Sequence, residues 1–235
     1  MEVPGHGIVR GAWDIGDFDQ YIGNVTVADR TVLDVGCASG FLSFEAEKRG
    51  AHVTSFDAAS MKQVFHVPFE SNLYFRDRDL WDRQADWGLQ MLKNSYWYAH
   101  QRFNAHAKVI YGDIFRLYQS LPEPVDIVIA GAVLEHLNDQ ISAIGSMARV
   151  CTDLIIIAFT SVLDSNELIA QPITPMTDPS TDLTWWMYSR GLYRRVLQNV
   201  GFEILDVRPS RARRQGAATD TIRSAIIAKR LRAAC

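Results

Sequence analysis

Residues 32–51 read VLDVGCASGFLSFEAEKRGA. Four strand-forming positions, Val32 to Val35, lead into the small-residue run Gly36 to Gly40. Helical spacing then follows at Leu42, Ala46 and Arg49, until Gly50 provides a left-handed stop. Strand, tight turn and helix in that order open an alternating α/β fold. The turn limits what such a fold can hold. A dinucleotide pyrophosphate asks for G-x-G-x-x-G, because side chains there block the phosphates and the close packing of the helix. Here those positions are Gly36, Ala38 and Phe41, so the dinucleotide reading fails twice. Read as D-x-G-x-x-x-G, with Asp34, Gly36 and Gly40, the turn gives backbone room and an acceptor to a cationic ligand without phosphates. An amino-acid-like moiety with an ammonium group suits it.

Working outward, short apolar runs at 52–56, 107–111, 125–130 and 154–160 are predicted as parallel strands, with helical spacing between them at 89–103 and 141–148. This is a doubly wound pattern with helices on both faces of the sheet. Ser189 then caps a further helix, Gly201 ends it, and runs at 202–207 and 222–228 are predicted as an antiparallel strand pair. Two insertions break the alternation. Residues 61–98 hold nine aromatics, well above the 11% of the whole chain, and residues 161–188 are proline-containing, loop-like and end in TWWMY. Both follow a strand at its carboxyl end, where open α/β sheets bind ligands, so they are expected to cover a substrate pocket. The plainer alternative is that the aromatics build a small side core. Residues 1–235 are expected to form one domain.

Composition narrows the partners. At 48% apolar and 22% charged residues the chain can bury a substantial core, and a formal net charge of −3 gives no global attraction to a polyanion. Three cysteines are too few and scattered for a disulfide framework, which fits a reducing compartment. The first residues lack the features of a secretory signal, and no run approaches the ~20 apolar residues of a membrane span. A soluble, cytoplasmic monomer or homodimer is expected, with no membrane partner.

Acids at the ends of the next strands sharpen the reading. Asp57, twenty-three residues after Asp34, ends the second strand in VTSFD, where a carboxylate can accept both hydroxyls of a ribose. Asp113 ends the third in VIYGD and can accept from the exocyclic amine of an adenine.

In the order VLDVGCASG, VTSFD, YGDIF and PVDIVIAGAVLEHL, residues 30 to 160 resemble the class I S-adenosylmethionine-dependent methyltransferases. The resemblance implies a Rossmann-like, seven-stranded, mostly parallel sheet with an antiparallel C-terminal strand pair, and S-adenosyl-L-methionine as cofactor. It places Asp34, Gly36 and Gly40 around the methionine end, Asp57 on the ribose and Asp113 with Ile114 at the adenine, and counts Cys37, Ala38, Ala58 and Gly131 among the cofactor-binding residues. The middle glycine of the pattern is Ala38 here, for which tighter packing rather than lost binding is expected. A looser similarity, carried by GFLSFEAEKRGAHVTSFD, the aromatic insertion and the late TWW, points to the bacterial subgroup related to tRNA wobble-uridine carboxymethyltransferases.

Methyl transfer is a displacement at carbon, so alignment and exclusion of water dominate, and a base is needed only where the acceptor carries a proton. Glu135 and His136, just past the fourth strand in GAVLEHL, are the catalytic candidates, with His136 as the base. A metal is not expected: the related E-x-x-E-H arrangement lacks its first acid, since that position is Ala132. Candidates for the substrate wall are Trp13, Tyr96, Trp97, His100, Trp185, Trp186 and Tyr188, with Arg102 and Arg190 facing a substrate carboxylate. Residues 208–232 carry eight Lys or Arg against one Asp, which could grip RNA but also suits a protected sheet edge or an oligomer contact. The favoured expectation is therefore methylation of a small molecule. The alternatives are a tRNA-modifying enzyme, or one using a carboxylated cofactor near Arg10, and a non-catalytic subunit that keeps the fold for partner binding.

Overall fold

The computed structural model describes residues 1–65, 77–173 and 184–231. In chain order the strands are β1 (Glu2–Val3), β2 (Gly7–Ile8), β3 (Trp13–Asp14), β4 (Thr31–Val35), β5 (His52–Ala58), β6 (Lys108–Gly112), β7 (Val125–Gly131), β8 (Cys151–Thr160), β9 (Val162–Leu163), β10 (Ala170–Pro172), β11 (Trp186–Ser189), β12 (Phe202–Arg214) and β13 (Thr221–Arg230). The helices are α1 (Phe18–Tyr21), α2 (Phe41–Lys48), α3 (Met61–Phe65), α4 (Arg78–Phe103), α5 (Leu117–Ser120), α6 (Gln140–Val150) and α7 (Arg190–Asn199).

The central sheet runs β3-β12-β13-β8-β7-β4-β5-β6. From β8 to β6 every pairing is parallel, whereas β13 lies antiparallel between β8 and β12. The expected seven strands are thus eight. The addition is β3, which pairs with the far end of β12 through Trp13 opposite Arg214 and Asp14 opposite Arg213. Two residues with no apolar alternation carry no readable strand signal, so their pairing depends on how far β12 extends.

Alternating side chains fill both faces, as parallel strands require. Leu33, Val128, Ile155 and Ile157 pack with α6 and α7 on one side, while Val32, Ile127, Ile129 and Ile156 pack with α1 and α2 on the other. Caps follow the local chemistry: Asp77 accepts from the Leu80 N–H to open the 26-residue α4, and Ser189 accepts from the Leu192 N–H to open α7.

The insertions differ from expectation. Residues 161–188, expected as loop, contribute β9, β10 and β11 to a separate three-stranded sheet in the order β10-β11-β9. The segments 66–76 and 174–183, which hold part of the expected cover, lie outside the described residues. No described helix is long and apolar enough to cross a membrane.

Candidate active site

A cavity of about 1590 Å³ opens at the carboxyl ends of β4 to β8, between the sheet, α4 and the N-terminal segment. Its floor is the turn after β4. There Gly36 has φ 75°, and a Cβ would stand 2.4 Å from Cγ2 of Val133 in the segment after β7. Only glycine lets the two loops close to this distance. Gly40, the N-cap of α2, is needed for a different contact: a Cβ there would meet the rings of Phe44 at 2.4 Å and Tyr96 at 2.8 Å.

Asp57 is held by the turn it faces. Its Oδ2 accepts from the Ala38 N–H at 2.7 Å and from the Cys37 thiol at 3.9 Å, and its Oδ1 accepts from the Ala58 N–H at 2.7 Å, which leaves Oδ1 a further lone pair. Burial raises its pKa, and those two N–H groups oppose the rise. Ala38 has φ 47°, the left-handed conformation that glycine adopts freely. The alanine at the middle position thus keeps a backbone conformation that glycine would adopt without cost.

Asp34 is 1% exposed and lies beneath the cavity floor. Its Oδ2 accepts from Ser43 Oγ at 2.6 Å, while Oδ1 has no hydrogen-bond partner. Burial pushes its carboxyl up to about 7. Burial and the neighbouring carboxylates Asp34 and Asp57 hold the Cys37 thiol far above its ordinary value, so it is no nucleophile.

Of the other residues proposed from sequence, Gly36, Cys37, Ala38, Asp57, Ala58, Ile114, Gly131, His136 and Trp13 line this one cavity. Asp113 is not among the lining residues; its Oδ1 accepts from the Phe115 N–H and caps a short 3-10 turn. Glu135 is buried and ion-paired with Arg223, so its carboxylate faces β13. Tyr96 is fully buried under the turn, with its hydroxyl 2.8 Å from Ser55 Oγ. Trp97 and His100 pack on each other at 5.2 Å, and Arg102 donates to Tyr98 OH at 3.3 Å. Trp185 donates its N–H to the Glu135 carbonyl, Trp186 donates its ring N–H to the Asn138 carbonyl, and Tyr188 is buried against Tyr193. Those three belong to the small sheet and its contact with the core, and none lines the cavity. Arg190 pairs with Asp164 at the surface.

Sequence reasoning missed Tyr21 and Phe159, both of which line the cavity. For Tyr21 a signal existed: Asp17 followed by FDQYI is an N-cap before an apolar face, and Asp17 accepts from the Gln20 N–H. Phe159 had none. It is the penultimate residue of β8, at φ 51°, a conformation that costs about 1–3 kcal/mol for a bulky residue. Among the described residues, no three of His, Cys, Asp and Glu cluster as metal ligands.

A family described as "Methyltransferase domain" matches residues 15–207. The chain belongs to that methyltransferase domain family. The fold agrees with solved structures. The magnesium protoporphyrin IX methyltransferase of Synechocystis PCC 6803, crystallised with bound S-adenosylmethionine, is 15% identical with a TM-score of 0.53, over 87% of this chain and 71% of that one. The 1,6-didemethyltoxoflavin-N1-methyltransferase of Burkholderia thailandensis is 12% identical with a TM-score of 0.55, over 87% and 72%. An S-adenosylmethionine-dependent methyltransferase from Mesorhizobium loti is 12% identical with a TM-score of 0.55, over 88% and 93%. A comparison with curated proteins gives no match.

The methyltransferase is S-adenosylmethionine-dependent, and its cavity fits that cofactor. Gly36, Cys37 and Ala38 line the cavity beside Asp57, whose Oδ1 keeps a lone pair that can accept from a ligand hydroxyl.

Proposed function

We propose that this methyltransferase acts on a small-molecule acceptor held in the β7–β8 half of the cavity. The volume carries the reading. About 1590 Å³ exceeds the ~300–1,000 Å³ that encloses one drug-sized ligand, leaving room for an acceptor beside the cofactor. Sheet order separates the two positions. Asp57, Ala58 and Ile114 lie at the β5 and β6 ends, whereas Gly131 ends β7, Val133 and His136 follow it, and Phe159 lies near the end of β8.

When bound, S-adenosylmethionine supplies an electrophilic methyl group on a sulfonium. Asp57 would hold its ribose hydroxyls, Gly36 and Ala38 would line its amino-acid portion, and Ile114 would pack on its base. Ile15, Phe18 and Leu42 keep the acceptor side apolar, which supports exclusion of water. His136 stands at the β7 end of the lining, where an imidazole can take the proton from an acceptor hydroxyl or amine. Glu135, engaged with Arg223, has no part in that transfer.

The competing reading is a tRNA acceptor, or a carboxylated cofactor of the wobble-uridine type, using Arg10 at the cavity and the basic β12–β13 hairpin. Many cations of that hairpin already have partners. Arg208 binds Asp206 and the Gly23 carbonyl, Arg213 binds Asp220, Arg223 binds Glu135, and Arg230 binds the carbonyls of Ala148 and Cys151. This weakens the case for a phosphate grip. The deciding experiment supplies S-adenosylmethionine with a labelled methyl group to the enzyme with either the small-molecule or the tRNA fraction of a cell extract. Label in the small-molecule fraction is expected; label confined to tRNA overturns the proposal.

A further inference from the structure

The pairing of β8 with β13 contains one extra residue on β8. Ser224 lies opposite Thr160 and Ile226 opposite Ile157, so Ala158 and Phe159 together oppose Ala225. This is a β-bulge, and Phe159 occupies a left-handed position of the kind that bulges usually give to glycine. The bulge changes which face the ring joins. Ile155 and Ile157 point to the α6–α7 side, and simple alternation would send residue 159 the same way. Instead Phe159 joins Ile156 and Ala158 on the side of α1 and the N-terminal segment.

There it completes an aromatic wall. The Phe159 ring stacks on Tyr21 at 5.6 Å and 23°, and meets Trp13 edge to face at 5.2 Å and 70°. The Arg223 guanidinium lies 4.7 Å from the Phe159 ring centre, and its charge is balanced by Glu135. Phe159 is thus fixed from several sides and almost wholly buried. Trp13, held on β3 by the end of β12, remains 37% exposed and lines the cavity. A rigid indole with open area, backed by a ring aimed through a strained bulge, is a surface on which a flat ring can stack.

We propose that Trp13, backed by Phe159 and Tyr21, selects a planar aromatic acceptor. The proposal rests on the small-acceptor reading above and names its substrate class. The β12–β13 hairpin then serves the site by carrying β3, and with it Trp13, to the β8 end of the cavity.

The test measures binding by calorimetry to enzyme saturated with S-adenosylhomocysteine, using 2-naphthol and decahydro-2-naphthol as probes. Hydrogenation keeps the fused skeleton and hydroxyl but removes the flat π faces. Aromatic contacts worth a few-fold each predict that 2-naphthol binds about tenfold more tightly. Trp13→Leu is expected to abolish that preference while S-adenosylhomocysteine affinity stays unchanged, and Phe159→Gly, which removes the ring and suits the left-handed backbone, is expected to reduce it. Equal affinity of the wild type for the two probes, or no binding of either, overturns the proposal. So does a preference that survives Trp13→Leu. Failure of S-adenosylhomocysteine itself to bind would strike the cofactor site, and the inference with it, and is read separately from the probe comparison.

Discussion

Ser43 Oγ lies 2.6 Å from Oδ2 of Asp34, and this hydrogen bond ends a buried chain that starts on another layer of the protein. Ser43 is 2.7 Å from Ser55 Oγ, and Ser55 is 2.8 Å from the Tyr96 hydroxyl, so α4, β5, α2 and β4 are joined through the floor of the cofactor turn. Such a buried chain of hydrogen bonds ties together the elements it joins, although Asp34 Oδ1 is left without a partner. Here it holds the turn whose Gly36 packs against Val133 at the cavity floor.

Asp34 gives this network a pH dependence. Its carboxyl titrates at about 7 in the folded protein because of burial, against 3.8 for the ordinary side chain. The unfolded chain therefore releases this proton first, and folding stability falls as pH rises between those values, levelling off above the folded pKa. Asp34→Asn keeps an acceptor for Ser43 and has no proton to lose. In urea titrations at several pH values, the variant should gain on the wild type as pH rises, by on the order of 2–4 kcal/mol at pH 8. A constant difference would show that Asp34 does not titrate in this range.

Gly36→Ala should lower stability by about 1–3 kcal/mol and weaken cofactor binding. It adds a Cβ 2.4 Å from Val133 Cγ2 and places alanine at φ 75°. The double variant Gly36→Ala/Val133→Ala removes the clash but leaves the backbone conformation, so thermal melts should show only partial recovery of the part due to Gly36→Ala. Full recovery would assign the effect to packing alone.

Removing the Asp57 carboxylate should weaken S-adenosylmethionine by at least about 10–100-fold, since even one hydrogen bond to a charged acceptor contributes ~1.5–3 kcal/mol. Calorimetry on Asp57→Ala and Asp57→Asn should rank the alanine variant weakest, because asparagine still accepts one hydrogen bond. An unchanged affinity in Asp57→Ala would remove Asp57 from the site.

Arg223→Met should destabilise the fold by about 3 kcal/mol, because it leaves the Glu135 carboxylate buried without its cation. The figure sits at the low end of the usual range since the Arg223 side chain is 25% exposed. Arg223→Met/Glu135→Gln should recover much of the loss in denaturant melts, and a strictly additive double variant would deny the coupling.

The strand, turn and helix of residues 32–51 were legible from sequence because each depends on neighbours a few residues away. Gly36 is small where two loops meet, and Asp57 ends a strand whose apolar run is continuous. The alternation of strands and helices followed from the same local periodicities, and the family from the resemblance carried by VLDVGCASG, VTSFD, YGDIF and PVDIVIAGAVLEHL. Trp185, Trp186 and Tyr188 show where that information stops. Their spacing does not say where they pack, and the pairing of β11 with β9 and β10 places Trp186 and Tyr188 in the small sheet.

Phe159 and Trp13 depended on tertiary structure altogether. The bulge that turns Phe159 to the cavity side exists only in the pairing of β8 with β13, some sixty-five residues later, and β3 exists only because β12 runs on far enough to pair with Trp13 and Asp14. Sequence alone determined the α/β alternation, the glycine turn and its acids, through short-range backbone preferences and the alternation of apolar side chains. Three-dimensional structure decided the register, and with it the wall that faces the acceptor, because register is set by contacts between segments that are distant in the chain.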